Sequence, residues 1–91
     1  MTPQSEFAEA LRAVLAELET MLLEKNALYH NSALKPLRVF STASWDQAIR
    51  VRLDDKLSRM KAAEAGQDTE DTELDTLGYL VLLRVGRRLK L

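Results

Sequence analysis

Apolar residues recur at steps of three and four through the first quarter of the chain: Phe7, Leu11, Val14, Leu15, Leu18, Met21 and Leu22. At 3.6 residues per turn they fall on one face, which predicts a helix over about 3–25 with a buried stripe. Thr2 is placed to cap it. Pro3 suits the first helical position, where its missing amide proton has no partner to lose. The rhythm fails over 26–43, where Asn26, Tyr29, His30, Asn31, Ser32 and Pro36 form turns and loops, and Pro36 disfavours helical geometry at Lys35. A loop this long in a small protein is expected to carry function. Leu28, Leu34, Leu37, Val39 and Phe40 interleave with the polar residues, so the loop is expected to be ordered against the core, with a short helical turn of its own.

The pattern resumes at Ser44-Trp45-Asp46-Gln47, a capping box whose Asp46 complements the helix dipole. A second helix is predicted over about 45–65, stopped by Gly66. Ile49, Leu53, Leu57 and Met60 mark its buried stripe, flanked by Arg52, Asp55, Lys56 and Arg59. After a polar turn, a third helix is predicted over about 71–89. Leu74, Leu77, Leu80, Val81, Leu83 and Val85 make it apolar over more than one face. The fold class is therefore all-α: one domain over 1–91, a bundle of three helices, or four if the loop forms a short one. The surplus apolar surface on the third helix predicts a homo-oligomer, a dimer or higher. Size points the same way, because 91 residues without Cys have neither a large core nor a disulfide or thiolate-zinc staple.

A net charge of -1 and a pI near 5.8 argue against duplex-DNA binding. The residues after Met1 lack the basic and apolar regions of a signal peptide, and no apolar run approaches the roughly 20 residues that span a bilayer. A cytoplasmic protein without membrane association is the expectation. With His30 as its sole histidine the chain has no His-based metal site and no triad pattern, and without a Gly-rich loop it is not a P-loop protein. The charge is uneven: Glu64, Asp68, Glu70, Asp71, Glu73 and Asp75 cluster in one stretch, and Arg84, Arg87, Arg88 and Lys90 in another.

Two charged clusters carry the candidate chemistry. Asp71 and Asp75 stand one helical turn apart and can share a hard cation with Asp55 or Asp54 from the facing helix. Magnesium suits such a site, since it takes few protein oxygens and completes its shell from water and phosphate. Metal-bound water would attack a phosphoanhydride, with Lys56, Arg52 or Arg59 stabilising the developing charge. The same residues have a plainer reading: acids in the first turn answer the helix dipole, and Asp55 with Arg59 is an ordinary intrahelical pair. Tyr79 can hydrogen-bond Asp75, stack on a base or serve as core beside Gly78, whose missing side chain lets a helix or ligand come close. Trp45 reads as a packing anchor, and Lys25-Asn26 as a helix C-terminal pair.

Taken together, Lys25-Asn26-Ala27-Leu28-Tyr29, Leu37-Arg38-Val39-Phe40-Ser41, Arg52-Leu53-Asp54-Asp55-Lys56-Leu57-Ser58-Arg59 and Glu70-Asp71-Thr72 through Asp75 to Gly78-Tyr79 form a wider pattern. It resembles the phage nucleotide modification associated domain of the first type, a helical family near the MazG-like all-alpha nucleoside triphosphate pyrophosphohydrolases. The resemblance implies an oligomerising bundle, a nucleotide ligand and a magnesium site. It implies Asp55, Glu70, Asp71 and Asp75 as the acids, with Lys25, Asn26, Tyr29, Lys56 and Arg59 facing the ligand. The chain departs from the pattern at His30, where a glycine often follows the loop tyrosine, and lacks the E-E-x-x-E motif of MazG enzymes. Two functions are expected from this: magnesium-dependent nucleotide processing, with Asp55, Lys56 and Arg59 catalytic and Arg52 and Tyr79 on the substrate, or non-catalytic capture of a signalling nucleotide by an oligomer.

Overall fold

The computed structural model describes residues 2–67 and 71–91. Its helices are α1 (Pro3–Leu28), α2 (Trp45–Glu64) and α3 (Thr72–Arg88), an all-α arrangement with no strand among the described residues. Each helix begins on a side-chain cap that takes an otherwise unpaired amide proton. The Thr2 hydroxyl accepts from the Ser5 amide at 3.1 Å, Ser44 from Gln47 at 3.4 Å, and the Asp71 carboxylate from Leu74 at 3.1 Å.

α1 continues three residues beyond the predicted end, so Asn26 is a helical residue rather than a loop residue. Nothing before Tyr29 breaks the helix, and Ala27 and Leu28 favour it. The break comes from His30 and Asn31, both left-handed with φ of 53° and 62°. His30 thus adopts the backbone that a glycine would take at no steric cost, and does so at about 1 kcal/mol. Residues 29–35 then form consecutive turns in place of a fourth helix: the Ser32 amide donates to the Tyr29 carbonyl, and the Leu34 and Lys35 amides to that of Asn31. These turns deliver Leu34 into the core.

The core is small. Leu34, Ile49 and Leu83 are its buried members, with Trp45, Leu53, Tyr79 and Leu82 packed around them. α2 and α3 lie against each other, while α1 packs on α3 and, among the described residues, not on α2. Two glycines on α3 set these approaches. A Cβ at Gly78 would stand 2.9 Å from Met21 Cε and 3.2 Å from Leu22 Cδ2, and one at Gly86 would overlap the Trp45 ring.

Two predicted stripes are redrawn by the structure. On α2 the inward positions are Ile49, Leu53, Lys56 and Met60; Leu57 is exposed, because Lys56 turns in to meet a carboxylate on α3. On α1 only Leu18 is buried and Met21 and Leu22 are half-buried, whereas Phe7, Leu11, Val14 and Leu15 face outward. Leu77, Leu80 and Val85 on α3 are also exposed, as the breadth of that helix's apolar surface anticipates. No described helix is long and apolar enough to cross a membrane.

Candidate functional site

A cavity of about 400 Å³ opens between the C-terminal half of α1, the turns at 29–36, the start of α2 and the middle of α3. Its floor is apolar, formed by Met21, Leu22, Ile49, Gly78 and Leu82. Its polar groups come from three helices and the loop. Lys25 and Asn26 project from the last turns of α1, Tyr29 and Ser32 from the turns, Arg52 from α2, and Asp75 and Tyr79 from α3. An apolar cleft with a few convergent polar groups is the usual form of a small-molecule site.

The helical spacings explain the convergence. Lys25 and Tyr29 are four residues apart on α1 and its cap, and Asp75 and Tyr79 four apart on α3, so each pair shares a face. Gly78 lets the two helices close on each other at the register where these faces meet.

Asp75 is the electrostatic centre. Lys25 Nζ donates to its Oδ1 at 2.9 Å, and Lys56 Nζ lies 3.4 Å from its Oδ2. Burial alone would push the Asp75 carboxyl up, since its side chain is only 19% exposed, but the hydrogen bonds and charges of Lys25 and Lys56 outweigh this and hold it below the ordinary carboxylate range. The hydrogen bond to Asp75 in turn raises the Lys25 pKa against the opposing effect of burial. Lys56, whose side chain is 14% exposed, is tolerated inside because its charge is paired. Arg52 makes no ion pair among the described residues. Of the charged residues that line the cavity, Lys25 and Arg52 stand against the one carboxylate of Asp75, so its described lining is cationic.

The remaining sequence-derived positions lie elsewhere. Asp55 pairs with Arg59 along α2, Nε to Oδ2 at 3.2 Å, on the exposed side of the helix, with the Asp55 side chain 60% exposed. Asp71 caps α3. Glu70 lies outside the described residues. Among the described residues no three His, Asp or Glu side chains gather to hold a metal, and both oxygens of Asp75 already face ammonium groups. Residues with no sequence signal for a site also line the cavity: Ala33, Pro36 and Ala48, small or rigid side chains that leave the space open.

No family model, curated protein or solved structure matches the chain.

Proposed function

We propose that this protein binds a nucleotide in the α1/α3 cavity, with phosphate on Lys25 and Arg52 and the base against Tyr29 and Tyr79. The observation that supports this reading is the convergence of Lys25, Asn26, Tyr29, Arg52 and Tyr79, which span more than half the chain, on one cationic, apolar-floored cavity. An ammonium has three protons to donate and Asp75 accepts one from Lys25, so two remain for a phosphate. The Arg52 guanidinium supplies a planar fork suited to phosphate oxygens. Aromatic rings beside it offer a surface to any base, and Asn26 offers a donor and an acceptor for its edge.

Binding through side-chain cations needs no metal bridge, so this reading favours capture over turnover. The test is calorimetric titration of the protein with nucleoside mono- and triphosphates, in magnesium and in EDTA, with mass spectrometry of the recovered ligand. Binding that persists in EDTA, with ligand recovered intact, is expected. Lys25→Met and Arg52→Met should each weaken it about tenfold or more, the loss of one charge-assisted hydrogen bond. Conversion to monophosphate and pyrophosphate in magnesium alone would replace capture with the processing reading. No heat with any nucleotide would end both.

A further inference from the structure

The exposed half of α1 has dimensions and charge that define what covers it. Contact of Lys25 with Asp75 and of Leu22 with Gly78 makes α1 and α3 antiparallel neighbours. From that crossing α1 continues for 19 residues back to Pro3, whereas α3 continues for ten to Arg88. At 1.5 Å per residue α1 outruns α3 by about 13 Å. Phe7 and Leu11 lie on this overhang, and Val14 and Leu15 just before it are open as well. Phe7 is 69% exposed and Leu15 51%, with Leu11 and Val14 close behind.

The area agrees. A compact chain of this mass exposes about 5,400 Å². This one exposes 7326 Å². The radius of gyration is 15.5 Å against about 12 Å for a compact domain of this length. A surplus of roughly 2,000 Å² per chain is more than a standard dimer interface needs from each partner and reaches the range of obligate homodimers.

Charge selects the arrangement. The N-terminal half of α1 carries exposed Glu6 and Glu9 against Arg12, followed by exposed Glu17 and Glu19, and the end of α3 and the residues after it carry exposed Arg84, Arg87, Arg88 and Lys90 without an acid. Pairing α1 with a second α1 would bring two net-acidic segments together and leave the α3 bases unmet. Pairing it with the α3 of a second copy sets acid on base and covers Leu77, Leu80 and Val85 as well. A two-fold axis makes the contact twice.

We infer that two copies of this chain form a reciprocal dimer in which the N-terminal half of each α1 packs on the exposed face of the partner's α3. The inference is independent of the ligand. Sedimentation velocity on the full chain should give twice the 10.3 kDa monomer mass. One variant reverses the α1 acids (Glu6→Lys with Glu9→Lys), and a second reverses the α3 bases (Arg87→Glu with Arg88→Glu). Each alone should weaken self-association at least tenfold, with its circular dichroism monitored for helix content. Mixed together they should pair again, because a mixed dimer restores acid-on-base contact at both interfaces. A chain that stays monomeric at every soluble concentration overturns the inference. So does an α3-reversed variant that dimerises as tightly as the parent, or a mixture that fails to pair.

Discussion

The two halves of α1 are built on one periodic pattern and meet different fates. From Leu18 to Leu22 the stripe is covered, and Lys25, Asn26 and Tyr29 beyond it line the cavity; from Phe7 to Leu15 the same kind of stripe faces outward. The difference lies in the neighbour. α3 supplies Gly78 where α1 must come close, and it ends at Arg88, before α1 reaches its own beginning. An amphipathic helix thus specifies that a face must be covered, and leaves open what covers it.

The sharpest way to break this comparison is to truncate one residue in each half. Leu18→Ala removes a side chain only 6% exposed and should cost about 2 to 3 kcal/mol in urea unfolding, whereas Leu11→Ala, at a site 44% exposed, should cost under about 1 kcal/mol in dilute solution. Equal losses at low protein concentration would show that the halves do not differ as described.

Substitutions at the α3 glycines sharpen the picture of what α1 docks against. Gly86→Ala sets a methyl group into the Trp45 ring and should destabilise by about 1 to 3 kcal/mol, even after the gain in helix propensity. Gly78→Ala meets the mobile end of Met21 first, so the propensity gain should cancel most of the cost. Thermal midpoints of the two variants would separate a rigid contact from an adaptable one.

The smallest effects are electrostatic, and their sign follows from the direction of each shift. Asp75 is depressed in the fold, so its contribution is present above its ordinary value of 3.8 and is lost as pH falls through the folded pKa. Lys25 is raised, so its contribution is present below 10.5 and is lost as pH rises through its folded pKa. Asp75→Asn should cost about 1 to 2 kcal/mol near neutrality and remove part of the acid limb of a stability profile. Lys25→Gln should flatten the alkaline limb by less, because half its side chain is in water. An acid limb unchanged by Asp75→Asn would mean that the two lysines do not hold that carboxylate.

Of the residues that the sequence offers for a site, Lys25, Asn26, Tyr29, Arg52 and Tyr79 line one cavity, whereas Asp55 and Arg59 pair with each other along α2. Lys56, expected beside the α2 stripe and facing a ligand, turns inward to Asp75, because a stripe drawn from apolar residues passes over a lysine whose charge is met across the interface. Ala33 and Ala48 leave no trace in the pattern, since small side chains that keep a cavity open look like ordinary loop and helix residues, and Pro36 marks only the loop.

What the chain determined alone is what neighbours in sequence can determine: three helices, the first two capped by Thr2 and Ser44, and the second stopped at Gly66. Capping and left-handed turns are satisfied within a few residues, so local sequence is enough. The tertiary structure alone decided which half of α1 is covered, that Asp75 joins two lysines, and that the polar residues open on one cavity. These depend on where helices cross and where they end, and a one-dimensional period carries neither quantity.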